Sequence, residues 1–597
     1  MKNFLKYTLA TIVGFCIVHF VLFLLFIAFI GALLTFSEKN ILVPENSILK
    51  ISLDTEILDR ATNDPLENID YLSISTQKSL GLNKILRSIK NATYDPRIVG
   101  IYLELKEIQG SYGSLAVAEE IRNALKKFKE SGKFIYSYSN LGYSQTSYYL
   151  ATVADQVFVN PETPLLLNGM SSSISFYKES LEKLGIQAEV VKVGKFKSAV
   201  EPFLETEISS ANYEQVKKYL TSSWKSMIEA ISESRNISKE QIQSFADHFN
   251  IYPAHQLKEK GFFDGVVYDD QMQVILKAKC HLLPHEKLNL ITLTDYQDIP
   301  DLSFNNSSNE IAVIFAQGEI GFKQTNNSIG PELVQTIRKL REDQNVKAIV
   351  LRVNSPGGSA LISDIIWRET LLAKQSKPLI VSMGNVAASG GYYISCAADT
   401  IVAEATTLTG SIGIFGMFFN GEKLIENKLG IHTNTVKTNK YSDFGGSFPL
   451  PLPISSRPLN SYEKNILQQH VNQGYETFLQ RVMQGRNLSR EMADSAAQGH
   501  VWTGKDALSM GLVDVIGGLE DAINIAAEKA NVNSYQITEY PIQKNTLEEL
   551  VTELTTTIKS SILKEELGIF HSTWNQIKNL PHNQGVIARM PYDIIIQ

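Results

Sequence analysis

Cysteine is scarce in this chain, with three residues among 597. Cys16 lies in an apolar N-terminal run, so only Cys280 and Cys396 remain for a possible bridge, and no disulfide framework is encoded. The ten histidines are scattered without a His-Glu-x-x-His pattern, and no Gly-x4-Gly-Lys-Ser/Thr phosphate loop occurs. We therefore expect no metal and no other cofactor.

An excess of basic residues is also missing. The net charge is −7, with 44% hydrophobic and 20% charged residues, which is ordinary for a globular protein and gives no reason to expect nucleic acid as a partner. At 597 residues the chain is too long for a single core, and length alone predicts about three to five domains.

Charged residues are absent between Tyr7 and Ser37. A membrane helix needs about 20 apolar residues, whereas the apolar part of a cleavable signal peptide has roughly 7 to 15, so this run predicts an uncleaved anchor. Lys2 and Lys6 precede the run, while Glu38 and Lys39 follow it. The positive-inside rule therefore predicts a single span with a cytoplasmic N-terminus and an exported remainder.

The chain contains an internal duplication. Four short motifs recur in the same order, 245 to 251 residues apart, and a Pro/Asn/Ser-rich stretch at 298–309 separates the two copies. The recurring motifs begin at Leu184 and Leu429, Asn212 and Ser461, Arg235 and Arg486, and Gly261 and Gly511.

Apolar, β-branched runs alternate with helical patterns in each half. In the second half the predicted strands are Ile311–Phe315, Ala348–Val353 and Pro378–Met383, with helical patterns at Ile362–Ala373 and Gly391–Ala398. This alternation is typical of α/β proteins whose sheets are buried and mostly parallel.

Two glycine-rich motifs follow strands of the second half. Gly357 and Gly358 stand in Asn354–Ser359, while Ser389 and Gly390 begin the sequence Ser-Gly-Gly-Tyr-Tyr. Glycine allows close backbone approach, and backbone N–H groups can stabilise the oxyanion formed during amide hydrolysis. We expect Ser389 to be a nucleophile and Gly357, Gly358 and Gly390 to supply these N–H groups.

A lysine of the first half could serve as the base. With an offset of 245 residues, Lys195 aligns with Lys440, whereas Lys197 aligns with Ser442 and has no lysine counterpart. A desolvated, neutral lysine can deprotonate a serine hydroxyl. The first half thus has the lysine without the glycines, and the second has the glycines and serine without this lysine. This complementarity predicts one composite site.

The motifs Gly194–Pro202, Asn354–Ser359 and Ser389–Tyr393 resemble signal peptide peptidase A in its long, duplicated form, also called protease IV. The resemblance implies two tandem ClpP/crotonase-like domains of ββα units and a Ser389/Lys197 dyad. It also implies cleavage of remnant signal peptides and other unfolded apolar peptides, and assembly into a homotetramer. By the same resemblance, the chain lies in the bacterial inner membrane with its catalytic part on the periplasmic side.

The resemblance further implies that Ser411, in the sequence Thr-Gly-Ser-Ile-Gly, hydrogen-bonds Lys197 and orients it. The expected division of the chain is an N-terminus and anchor at 1–40, a lysine-bearing domain at 41–305, a serine-bearing domain at 306–540 and a C-terminal extension at 541–597. Two alternatives remain open from the residues: a crotonase-type acyl-CoA enzyme, which would share the fold and the glycines, and a non-catalytic membrane scaffold.

Overall fold

The computed structural model describes residues 14–15, 17–22, 42–61, 69–70, 75–76, 79–105, 115–248, 251–300, 302, 307–323, 328–446, 454–543 and 585–589. The predicted anchor at 1–40 lies almost entirely outside these residues, as does most of the extension at 541–597. Within the described ranges no helix has both the length and the apolar character needed to cross a membrane.

The first half alternates strands with helices. Its strands are β1 Ser47–Ile51, β2 Ile57–Leu58, β3 Ile69–Asp70, β4 Ser75–Thr76, β5 Leu80–Gly81, β6 Ile98–Glu104, β7 Phe134–Ser139, β8 Gln156–Val159, β9 Gln187–Val193, β10 Gly265–Val266 and β11 Leu290–Thr292. Its helices are α1 Leu82–Tyr94, α2 Leu115–Lys129, α3 Gln145–Ala151, α4 Lys178–Leu184, α5 Glu201–Leu204, α6 Ser210–Arg235, α7 Lys239–His248, α8 Ala254–Glu259, α9 Asp269–Lys279 and α10 Leu293–Tyr296.

The second half repeats this alternation. Its strands are β12 Glu310–Gln317, β13 Glu319–Ile320, β14 Ser328–Ile329, β15 Val346–Ser355, β16 Gly357–Ser359, β17 Leu379–Ala388, β18 Thr400–Ala403, β19 Leu408–Gly410, β20 Ile414–Asn420, β21 Val501–Thr503, β22 Val515–Ile516, β23 Gln536–Tyr540 and β24 Gly585–Arg589. Its helices are α11 Glu332–Glu342, α12 Ala360–Ser376, α13 Gly390–Ser395, α14 Ser461–Arg486, α15 Arg490–Ala496, α16 Gly504–Ser509 and α17 Leu519–Lys529, with a π-helical turn at Leu424–Lys428.

Each half has its own buried, mostly parallel sheet. The first has the order β10-β8-β7-β6-β1-β11, and the second contains the matching path β22-β18-β17-β15-β12-β23. All the pairings along these two paths are parallel. The predicted α/β class is therefore confirmed, and the same strand order in both sheets reproduces the duplication.

Equivalent contacts in the two halves support the duplication at the level of side chains. Arg235 donates to Gly261 O and pairs with Asp264, while Arg486 donates to Gly511 O and pairs with Asp514. A tyrosine of each half also donates to a carbonyl just before these aspartates: Tyr148 to Phe262 O and Tyr392 to Leu512 O, at 2.8 and 2.9 Å.

The ββα unit is present twice in the second half. Main-sheet strand β12 is followed by two short strands of another sheet, β13 and β14, and then by α11. Main-sheet strand β15 is followed by one short strand of that sheet, β16, and then by α12. In the first half, the segment 106–114, which follows β6, lies outside the described residues.

A third sheet joins the two halves, in the order β14-β13-β16-β24-β20-β9. Strand β9 of the first half pairs antiparallel with β20 of the second along its whole length, from Gln187↔Asn420 to Val193↔Ile414. Val191 of β9 is buried in the hydrophobic core of the second half. The chain segment that follows β9 is consequently held against the second half.

Candidate active site

Ser389 lies at the sharp turn between β17, which ends at Ala388, and α13, which begins at Gly390. Its backbone has φ 55° and ψ −112°, a sparsely populated conformation for a residue with a side chain. The Ser389 N–H donates to Gly410 O at 2.8 Å, and its carbonyl accepts from the Tyr393 N–H at 2.8 Å. These bonds hold the strained turn and fix the direction of the hydroxyl, which is fully buried.

Lys197 follows the end of β9 and reaches Ser389 from the other half of the chain. Its Nζ lies 2.8 Å from Ser389 Oγ and 3.0 Å from both Ser411 Oγ and Ser411 O. The lysine side chain has 0% exposure, as do Ser389 and Ser411. The structure thus brings together the serine, the lysine and the orienting serine named from the sequence.

Burial without a counterion lowers the pKa of Lys197 well below its ordinary value. Among the residues that the structure describes, no carboxylate forms an ion pair with Lys197 Nζ. The carboxylate of nearby Glu201 points elsewhere, since it accepts from Ser209 Oγ at 2.7 Å and from Asn212 Nδ2 at 3.0 Å. Desolvation therefore favours the neutral amine that a base requires.

The three contacts of Nζ match the bonding capacity of a neutral amine, which has two N–H donors and one lone pair. The two oxygens of Ser411 can accept both N–H bonds, which leaves the lone pair for the Ser389 hydroxyl proton. Ser411 is itself fixed, because its backbone N–H donates to His500 O at 2.7 Å.

The three glycines expected to donate N–H groups to the oxyanion differ in backbone conformation and in hydrogen bonding. Gly357 and Gly358 have φ of 102° and 152°, and a Cβ on Gly358 would overlap the carbonyl of Ile320, so both positions favour glycine. The Gly357 N–H already has an acceptor, Ser355 Oγ at 3.2 Å. Gly390 is the first residue of α13, where N–H groups have no acceptor within the helix.

One part of the lysine's surroundings was missed from the sequence: the loop at 498–500. Gln498 O accepts from the Phe196 N–H at 2.8 Å, and Gly499 lies directly against the Lys197 backbone. Gln215 connects both segments, since its Nε2 donates to Phe196 O at 3.0 Å and its Oε1 accepts from the Val501 N–H at 3.2 Å. No sequence motif marks these residues.

Gly499→Ala is expected to lower kcat by about 10²-fold, because small displacements of catalytic groups cost about that much. A Cβ at Gly499 would lie 2.6 Å from Lys197 N and 2.7 Å from Lys197 Cβ, so the lysine must move. Gly132→Ala is the matched control, since Gly132 has nearly the same φ (79° against 77°) and no atom of the described residues lies within 4 Å of its Cβ position. Equal kcat for both variants would contradict this role of Gly499.

Comparison with known proteins gives matches in both halves of the chain. Peptidase family S49 matches residues 127–282 and 372–533, one region in each half. The chain is 34% identical to "Serine protease SPPA, chloroplastic" of Arabidopsis thaliana over 532 residues, which is 87% of this chain and 76% of the relative. It is 36% identical to "Protease 4" of Haemophilus influenzae over 531 residues, 86% of this chain and 84% of the relative.

Among solved structures, a membrane-bound stomatin-specific protease in complex with a substrate peptide matches with a TM-score of 0.26 and 14% identity. The match covers 41% of this chain and 98% of that one. The identification depends on the two family regions and on the full-length relatives. With matches over both halves, the chain belongs to peptidase family S49 and is a serine peptidase.

Proposed function

We propose that this chain is a membrane-anchored endopeptidase that hydrolyses unfolded apolar peptides, including cleaved signal peptides, with Ser389 as nucleophile and Lys197 as general base. The observation that carries this proposal is the 2.8 Å contact between Ser389 Oγ and Lys197 Nζ. The Lys197 side chain is fully buried and has no carboxylate partner within the described part of the chain. An acyl-CoA enzyme or a non-catalytic scaffold would not need a buried amine in contact with a serine. Neither alternative accounts for two peptidase regions in one chain.

The reaction begins when Ser389 Oγ attacks the carbonyl carbon of the scissile peptide bond and its proton passes to Lys197 Nζ. The resulting ammonium can donate to both Ser411 oxygens, each 3.0 Å away, so the positive charge is stabilised where it forms. Lys197 then gives the proton to the leaving amine, which departs and leaves an acyl group on Ser389. A water molecule, deprotonated by Lys197, hydrolyses this ester and restores the hydroxyl.

Backbone N–H groups stabilise the oxyanion of each tetrahedral intermediate. Gly358 and Gly390 are the preferred donors, because the Gly357 N–H is directed at Ser355 Oγ. Strand β16 carries Gly358 and Ser389 precedes Gly390, so the two donors approach the carbonyl from different segments.

We expect the solubilised full chain to form a homotetramer, with its sites facing an enclosed space, and to cut an unfolded apolar peptide without nucleotide. It should leave the same sequence intact inside a folded domain. Native mass spectrometry and cleavage assays on both substrates test this. A monomer that cut folded and unfolded substrates equally would contradict it.

The charge-free run from Tyr7 to Ser37 supports the membrane anchor. A reporter fused after Gln597 should therefore behave as exported.

A plot of log(kcat/KM) against pH should rise with a slope of about +1 on its acidic limb. It should reach its plateau well below pH 10.4, the ordinary pKa of a lysine. Only neutral Lys197 accepts the serine proton, and burial lowers the pKa of this lysine. Lys197→Arg should be inactive at every pH, since a guanidinium stays charged. A limb that rose only near the ordinary lysine value would show that another group controls the rate.

A further inference from the structure

Part of the C-terminal extension returns to the active site. Strand β24, Gly585–Arg589, lies between β16 and β20 in the third sheet and pairs antiparallel with both. Its residues Ile587, Ala588 and Arg589 are opposite Ser359, Gly358 and Gly357 on β16, while Gly585, Val586 and Ile587 are opposite Met417, Gly416 and Phe415 on β20.

Strand β24 fills a slot whose two walls are β16 and β20, and both of these strands belong to the catalytic site. Strand β16 contains Gly358, the preferred oxyanion donor, and the Phe415 ring of β20 lies 6.0 Å from Lys197 Nζ. Among the strands that the structure describes, β16 and β20 each pair with β24 and not with each other. Removal of β24 would therefore leave two facing backbone edges. An extended peptide is the natural partner of such edges, because its backbone can bond to both.

We propose that β24 is a self-derived occupant of the substrate cleft, which competes with peptide substrates for the space between β16 and β20. This inference rests on the proposed function, because the slot is the peptide cleft only if Ser389 and Lys197 act on peptides. From its N- to its C-terminus, β24 runs antiparallel to both strands, from Met417 on β20 towards Gly357 on β16. A substrate that replaced β24 would run in the same direction.

The length of the connection permits this return. The preceding strand β23 ends at Tyr540 and β24 begins at Gly585, and the intervening residues are enough to cross a domain. A tethered segment acts at a high effective concentration, so a strand of weak intrinsic affinity can still fill the cleft much of the time.

The test uses the full chain with Ser389→Ala, so that no turnover occurs, and measures the anisotropy of a labelled unstructured apolar peptide. Ile587 pairs with both walls, and proline there removes a backbone donor and breaks the strand. If β24 fills the cleft about nine-tenths of the time, adding Ile587→Pro should tighten peptide binding about tenfold. Ile587→Val, which keeps strand propensity and the backbone N–H, should leave the affinity unchanged. Equal affinities in all three proteins would overturn the proposal.

Hydrogen exchange gives an independent readout on the same Ser389→Ala chain. Amides of Gly585–Arg589 should be protected, and a saturating amount of the apolar peptide should remove that protection. Unprotected amides, or protection that the peptide does not change, would also overturn the proposal. Neither measurement depends on turnover, so a failure of the Ser389/Lys197 mechanism would appear separately, as retained activity in Ser389→Ala.

Discussion

Lys197→Ala is expected to reduce kcat/KM for an unfolded apolar peptide by about 10⁴- to 10⁶-fold, and Ser389→Ala should cause a loss of similar size. The two groups act as a unit, since the hydroxyl without a base is a poor nucleophile and the amine without the hydroxyl has no role in acyl transfer. The double variant should therefore be little worse than either single variant. Steady-state kinetics on the three proteins measures this directly.

Lys195→Ala is the matched control, because Lys195 lies two residues away on the same turn. Its side chain is exposed, and its Nζ lies over the Phe196 ring at 5.0 Å instead of entering the site. We expect less than about a threefold change in kcat/KM, as for an ordinary surface substitution. Comparable activity in Lys197→Ala and the parent would refute Lys197 as the base.

Stability should separate a catalytic lysine from a structural one. Because burial lowers the pKa of Lys197, the unfolded chain holds a proton that the folded chain lacks at pH values between the lowered pKa and about 10.4. Stability therefore rises with pH through that window. Lys197→Met should remove this dependence and be more stable than the parent at neutral pH while inactive. A lysine that served only the fold would give a less stable variant.

The sequence was most informative where one residue type must occupy one position. Lys197 could be proposed because its counterpart in the other half, Ser442, is not a lysine, and Ser389 because the glycines that follow it have no counterpart after Ser144. The likeness of the two main sheets follows from the same repeat. The structure places both groups in contact, and their catalytic roles stay predictions. The three strands predicted in the second half correspond to β12, β15 and β17 to within two residues at each end, except that β17 runs on to Ala388, five residues past its predicted end.

Contacts between distant segments could not be read in this way. The pairing of β9 with β20, the position of Gly499 against Lys197 and the return of β24 are all set by how the halves pack. An offset between repeats carries no information about which edge of one half meets the other. The same holds for a buried ion cluster in which Arg352 of the second half contacts Asp59 and Glu120 of the first half.

Arg352→Met should lower the free energy of unfolding by about 3 to 5 kcal/mol, the cost of removing one partner from a buried ion cluster. Arg352 of β15 contacts two carboxylates of the first half, Asp59 at 2.6 Å and Glu120 at 2.8 Å, and all three side chains are at most 5% exposed. Burial lowers the pKa of Arg352, but these carboxylates outweigh it and keep the pKa above its ordinary value. The variant leaves the two carboxylates of the first half buried at the junction of the halves without their counterion.

The expected loss of stability arises from the two carboxylates left without a counterion. Denaturant unfolding of two further variants tests this cause. Arg352→Met combined with Asp59→Asn and Glu120→Gln should recover part of the stability, because no uncompensated charge is then buried. Arg338→Met should cost less than about 1 kcal/mol, since Arg338 is 54% exposed and Arg341 keeps its partner Glu369 paired. If the neutralised triple variant were as unstable as Arg352→Met alone, lost packing would be the cause. If Arg352→Met cost no more than Arg338→Met, the cluster would not hold the two halves together. The contact between Lys197 and Ser389 would then depend on the β9–β20 pairing and the loop at 498–500.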